Sequence, residues 1–358
     1  MNPVRVAIVC LVPEEGGVPS KTYDLARALK MKGCDVFTLF LGKMPSHPRI
    51  GPSQVNAKQY HLRNPIPVIR ALRNYGPDLI LTRYFTYSGI PSTLAGGLLS
   101  VPTFATVHGA GVRFSARSKG TRAPLKKMAK KILTRYDRVF PVSMDLAGEL
   151  LDMGLAKSRV IHLPNGVDQR VFRPRKDVSR STDILFSGSI YPEKRLDVLL
   201  DALGILEKSG REPSVEIFGD GPSRDDWERM SRSKKNVRFR GWAKDMSTVY
   251  PRARMFVLSS DVEGCPNALL EAMACQVPAV ATSVGDVPLI VTEGVDGYVV
   301  APGDPQAMAD ALARLLDNPD RALRMGAKAR RSVVSRFTWD AVASRILEEY
   351  SVVRGGGA

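Results

Sequence analysis

Short runs of Val, Ile, Leu and Phe alternate with segments of helical period along almost the whole chain. The runs are too short for helices. They are too continuously apolar for strands with one wet face, so each reads as a strand buried on both sides. Strands are expected over 4–12, 36–41, 78–82, 103–107, 138–142 and 160–163. A second series is expected over 184–188, 215–219, 237–240, 255–259 and 279–282. With helices between them, these strands build parallel sheets covered on both faces, an α/β fold. A chain of 358 residues, 44% apolar, can support two such sheets with separate cores.

The break between them follows Pro164-Asn165-Gly166-Val167-Asp168. The charged, Pro-containing stretch 170–182 then reads as an interdomain linker. This gives a first domain over 1–170 and a second over 180–337. The four cysteines are scattered and form no Cys-x-x-Cys pair, so buried free thiols and a reducing cytoplasm are expected. The apolar start is too short for a secretory signal and lacks a small-residue cleavage site. Residues 84–107 carry no formal charge, but glycines and prolines interrupt them, so they read as helix, loop and strand rather than a membrane span.

Charge is distributed unevenly. Residues 1–170 hold 25 Lys and Arg against 10 Asp and Glu, while residues 171–358 hold 27 against 26. Nearly all of the net +16 therefore lies in the first half, which argues for an anionic partner there. From Arg113 to Arg138 there are ten basic residues and one acid, Asp137. Lys126, Lys127, Lys130, Lys131 and Arg135 fall largely on one side of a helix there, and Leu125, Met128, Ala129, Ile132, Leu133 and Tyr136 on another. Two readings remain open: a docked helix with a solvated basic side, or a patch for an anionic membrane or a phosphate-bearing acceptor. Nucleic acid is not expected, because no recognition motif accompanies the charge and aromatics are only 7%.

The segment Glu263-Gly264-Cys265-Pro266-Asn267-Ala268-Leu269-Leu270-Glu271 carries two carboxylates across a strand-to-helix turn. Gly264 and Pro266 end the strand and admit the turn. Glu263 would then face the crevice at the carboxyl end of a parallel strand, where ligands bind in open α/β sheets. The amides of the helix's first turn, at Leu269 and Leu270, would favour an anion there. Glu271 would approach the same ligand from within the helix; a solvated helix Glu is the plain alternative.

The run from Glu263 to Ala274, continuing through Val277-Pro278-Ala279-Val280-Ala281-Thr282, resembles the hallmark of retaining nucleotide-sugar glycosyltransferases of family 4. The resemblance covers nearly the whole chain and is strongest over 184–304. It implies the GT-B fold: two Rossmann-like parallel-sheet domains facing a cleft, with a C-terminal helix, here 338–352, returning to the first domain. It implies that Glu263 contacts the donor sugar and Glu271 the nucleotide ribose. His108, after the strand ending at Val107, matches the family's His near the reacting centre; a structural His is the plain alternative.

Gly16-Gly17, which allows close backbone approach at a helix start, matches the opening of the family and would either contact the donor phosphates or form an ordinary strand-to-helix turn. In Ser187-Gly188-Ser189-Ile190-Tyr191-Pro192-Glu193-Lys194-Arg195, Lys194 matches the family's diphosphate cation. Ser189 stands where the family usually has Arg, and Arg195 where it usually has Gly. One cation of the clamp is therefore missing unless Arg195 replaces it. Gly219 belongs to a loop that either lines the base or is a structural turn, and Trp242 would flank the base or pack. Gln276, Asp286 and Leu289 replace the family's more frequent Gly, Gly and Glu.

The resulting expectation is a retaining, metal-independent glycosyltransferase. It would use a nucleotide diphosphate sugar as co-substrate, with no cofactor, and a lipid-linked or other anionic glycan acceptor. A cytoplasmic location follows, with peripheral attachment to the inner face of the membrane as an option. The rival readings are a nucleotide-sugar epimerase or hydrolase of the same fold, and a non-catalytic binder of anionic membranes.

Overall fold

The computed structural model describes residues 2–12, 18–42, 49–60, 64–83, 89–108, 123–175 and 177–355. The chain divides into two compact units, Met1–Pro164 with Trp339–Ala358, and Asn165–Thr338. Each is built on a six-stranded parallel sheet.

The first sheet contains β1 (Arg5–Leu11), β2 (Asp35–Leu41), β3 (Ala57–Tyr60), β4 (Leu79–Arg83), β5 (Thr103–Val107) and β6 (Arg138–Pro141). Their spatial order is β3-β2-β1-β4-β5-β6. The central strand β1 pairs Val6 with Val36 on one side and with Leu79 on the other. Its apolar run is buried on both faces. Helix α1 (Val18–Met31) covers one face, and α2 (Pro65–Tyr75) and α3 (Gly89–Leu99) cover the other. Helices α4 (Ala123–Leu133) and α5 (Met144–Asp152) complete the run of this unit before residue 164.

The second sheet contains β7 (Thr182–Ser187), β8 (Val215–Phe218), β9 (Val237–Gly241), β10 (Ala253–Leu258), β11 (Ala279–Thr282) and β12 (Gly297–Val300). Its order is β12-β11-β10-β7-β8-β9. Its helices are α6 (Leu196–Lys208), α7 (Arg224–Met230), α8 (Asn267–Ala274), α9 (Val287–Ile290), α10 (Pro305–Leu316) and α11 (Pro319–Arg336). The last helix, α12 (Trp339–Gly355), belongs to the first unit. Trp339, Val342, Ala343, Ile346 and Tyr350 join the core built on Val6, Ile8, Leu25 and Leu29. Arg138 Nε donates to Glu349 Oε2 at 2.7 Å and ties this helix to β6.

Three sequence expectations need correction. Residues 160–163 form no strand; Val160 makes only a single bridge to Val139. The edge strands β3 and β12 were not anticipated. β3 is Ala-Lys-Gln-Tyr, and an edge strand with a wet side does not require a continuous apolar run. Residues 170–182 are not a linker, because the division falls at Pro164 and they belong to the second unit. Arg180 is anchored there by donating from Nη2 to Gln276 O at 2.8 Å.

Candidate functional site

In the second unit the chain runs outward from β7 through β8 to β9. It then returns to place β10 on the other side of β7 and continues to β11 and β12. The strand order thus reverses between β7 and β10, and open α/β sheets bind ligands at such a reversal. Ser189, Lys194 and Arg195 follow β7, while Glu263 and Glu271 follow β10. Residues about 70 positions apart therefore converge on one sheet end.

Lys194 closes a 3-10 turn, Pro192–Lys194, just before α6. Its Nζ donates to Glu263 Oε1 at 2.6 Å, and Ser260 Oγ donates to the same oxygen at 2.8 Å. Both side chains of the ion pair are mostly covered. Backbone ties set the two loops against each other. Ser259 Oγ donates to Lys194 O at 2.7 Å, and the amide of Asp261 donates to Glu193 O at 2.9 Å. Gly285, at φ 51°, lets the next turn press on this loop: a Cβ there would lie 2.5 Å from Glu263 O.

Glu271 is buried, not a solvated helix Glu. Tyr250 Oη donates to its Oε2 at 3.1 Å and lies 2.8 Å from Ser187 Oγ. Burial, and next the charge of Glu271, raise the Tyr250 phenol well above its ordinary value, so it remains a donor. Tyr250 and Ser260 lie in no motif of the sequence, and Ser187 opens the Ser187–Arg195 run without a role of its own. The only hint was polar groups at the ends of apolar runs.

Helix α8 begins after Pro266, with no side chain capping its first turn. The side chains of Leu269 and Leu270 are fully buried, so only their amides could meet a ligand. Leu270 N–H already donates to Pro266 O, which takes it out of the free first turn and leaves Leu269. Gly219 has φ 138°, and a Cβ there would lie 1.8 Å from Gly188 O. Its glycine is required by the close approach of two loops, one of which carries Ser189. Trp242, just after β9, is 66% exposed and lies outside the core.

In the first unit the strand order reverses between β1 and β4, and His108 follows β5, the neighbour of β4. Its Nε2 lies 3.1 Å from Thr106 Oγ1. Burial, then the charge of Arg83, hold its pKa well below 6.5, so the ring is neutral at neutral pH. Arg83, which ends β4, is itself buried, with its guanidinium 5.5 Å from the Trp339 ring centroid. Gly16 and Gly17 lie outside the described residues, as do the side chains of Lys126 and Lys127. Lys130 and Lys131 are exposed on α4. Among the described residues, no group of three or more His, Cys, Asp or Glu could hold a metal ion. Nor is any helix among them long and apolar enough to cross a membrane.

Residues 15–171 match the model for Glycosyltransferase Family 4, and residues 181–318 match that for Glycosyl transferases group 1. A D-inositol 3-phosphate glycosyltransferase of Frankia alni is 30% identical, with 94% of each chain covered. This chain belongs to the family-4 glycosyltransferases. An N-acetyl-alpha-D-glucosaminyl L-malate synthase of Bacillus anthracis is 24% identical over 96% of this chain and 95% of its own. Among solved structures, Anabaena HepE in complex with UDP superposes with a TM-score of 0.80 at 16% identity, covering 98% of this chain and 100% of its own. Sucrose-phosphate synthase of Thermosynechococcus elongatus gives 0.77 at 21%, covering 99% and 100%. The glycosyltransferase therefore has the GT-B fold.

Two departures of this glycosyltransferase from its family's glycines fall at left-handed backbone positions. Arg195 has φ 48° and Gln276 has φ 62°. Glycine reaches that region without the strain a Cβ brings. Arg195 is held there by its own side chain. Nε contacts both Asp197 oxygens at 3.0 Å, Nη2 donates to Asp197 at 2.9 Å, and Nη1 donates to Asp261 at 2.8 Å. The guanidinium thus pairs with two carboxylates, Asp197 and Asp261. Asp286 is buried, with its amide donating to Gly264 O at 2.8 Å, while Leu289 is 46% exposed.

Proposed function

We propose that this glycosyltransferase is a retaining enzyme that takes its sugar from a nucleoside diphosphate sugar bound at the β7–β10 end of the second unit. One observation carries the reading: Lys194 and Glu263 meet at 2.6 Å across the reversal of strand order, with the buried Glu271 in the helix that follows Glu263. Lys194 neutralises the diphosphate, and its charge gains importance as the leaving phosphate oxygen becomes more negative. Glu263, the partner of Lys194, binds hydroxyls of the donor sugar. Glu271 accepts from the ribose, held by Tyr250. The Leu269 amide and Ser189 add neutral donors around the phosphates. The exposed Trp242 ring offers the base a stacking face, while Gly219 shapes the loop beneath.

In the reaction the bond from the anomeric carbon to the β-phosphate oxygen breaks. The acceptor oxygen bonds to the same face of that carbon, and its proton passes to the departing phosphate oxygen. His108, neutral, would serve as a hydrogen-bonding group rather than as a cation. Lys194 and the backbone amides take the charge-neutralising role that a divalent metal fills elsewhere, which supports a metal-independent reaction. The acceptor belongs to the first unit. The excess of basic residues there suits an anionic acceptor, lipid-linked or soluble. Relatives named for inositol 3-phosphate and for L-malate are consistent with that class.

Similar structures in complex with UDP and with UDP-glucose make UDP the first nucleotide to try. A thermal-shift screen of UDP, GDP, ADP and dTDP tests the donor class. Glu271→Ala should weaken the bare nucleotide, and Glu263→Ala only the nucleotide sugar. Equal loss in both variants refutes the division of roles. Proton NMR of the product tests retention, and an inverted anomer refutes it.

A further inference from the structure

We propose that the surface formed by α3 and the C-terminal end of α4, at the amino ends of β5 and β6, docks onto an anionic lipid bilayer. The basic stretch in the sequence supplies only half of this surface. The apolar half comes from α3. Leu94 and Leu98 are one helical turn apart and are 42% and 74% exposed. They line an open depression of about 750 Å³ together with Arg135 and Asp137. Met128, 41% exposed, presents a further apolar side chain on the neighbouring α4.

The fold sets which side of α4 faces out. Leu133 is fully buried, and Tyr136 Oη donates to Thr82 Oγ1 at 3.0 Å. Lys130, Lys131 and Arg135 are thereby left exposed. The single acid of the stretch, Asp137, lines the same depression as Arg135 and leaves a cationic excess there. Its Oδ2 accepts from the Thr103 amide at 2.8 Å and lies 3.4 Å from the Thr103 hydroxyl, so one of its oxygens is already engaged. Arg159 Nη1 donates to Thr134 O at 2.8 Å and extends the positive edge. Exposed leucines beside a cationic rim match a bilayer interface, where apolar side chains enter the acyl boundary and lysines meet anionic headgroups.

The surface is separate from the donor residues, so the test reads binding rather than turnover. The full-length protein is sedimented with phosphatidylserine-containing vesicles and with phosphatidylcholine vesicles. Binding is expected to the first only. Lys130→Gln, Lys131→Gln and Arg135→Gln together should weaken it about 100-fold at low salt, roughly fivefold per charge. That difference should shrink as salt screens it. Leu94→Ser with Leu98→Ser should weaken binding about tenfold, an effect that persists in salt. All five positions are exposed, so melting temperatures should stay near wild type and report intact folding. Negligible binding to both vesicle types overturns the proposal. So does binding indifferent to the leucine pair, because it would remove α3 from the surface.

Discussion

Replacing Tyr250 with Phe isolates one hydroxyl that joins the candidate nucleotide site to the core. The ring is buried and sits 6.0 Å from Phe172 and 6.1 Å from Phe256, centroid to centroid, so its packing survives the change. What is lost is the donor to Glu271 Oε2 at 3.1 Å and the contact with Ser187 Oγ at 2.8 Å. A hydrogen bond to a charged partner contributes about 1.5–3 kcal/mol, and a neutral one about 0.5–1.5 kcal/mol. The expected destabilisation is therefore about 2–4 kcal/mol, or a melting shift of roughly 5–12 °C for a unit of this size.

Nucleotide affinity should fall about tenfold, because the Glu271 carboxylate is no longer oriented, a loss of about 1.4 kcal/mol. Calorimetric titration of the nucleotide and thermal unfolding measure the two effects separately. Ser187→Ala, which removes only the neutral partner, should cost about 1 kcal/mol and leave affinity nearly intact. A double-mutant cycle with Glu271→Gln should show coupling of about 1–2 kcal/mol. A Tyr250→Phe protein with wild-type melting and affinity would refute the reasoning. pH supplies a further check. The folded phenol titrates well above its free value of 10.0, so its contribution is complete below that pH and declines above it. Above pH 10 the wild type should lose stability more steeply than Tyr250→Phe.

Lys194→Ala should lower turnover about 100- to 1,000-fold, measured at saturating donor. It should also destabilise the fold by about 1–3 kcal/mol, because the largely covered Glu263 loses its cation. Gln276→Gly should raise stability by about 1 kcal/mol in denaturant unfolding, by relieving the left-handed strain at φ 62°. His108 has a folded pKa well below 6.5, so its contribution is present above pH 6.5 and is lost as pH falls. His108→Gln should therefore flatten the stability profile between neutral pH and pH 5, measured by thermal unfolding.

The sheets were legible because their central strands are buried on both faces. A run such as Val6–Val9 has to be apolar wherever it lies in the chain. Edge strands escape that demand, which is why Ala57–Tyr60 left no clear trace. The paired Glu263 and Glu271, Lys194, and the first-half charge excess were also visible, since each rests on residue identity or spacing. Which groups meet was decided only by the tertiary structure. The reversal of strand order between β7 and β10 brings Lys194 to Glu263 and Ser187 and Tyr250 to Glu271. The same holds for Arg195, whose guanidinium is taken up by Asp197 and Asp261, and for Leu94 and Leu98, whose exposure depends on what α3 leaves uncovered. Periodicity is a local property that burial writes into each segment. Ion pairs and exposed faces depend on which segments become neighbours, and that follows from topology and packing across the sheet.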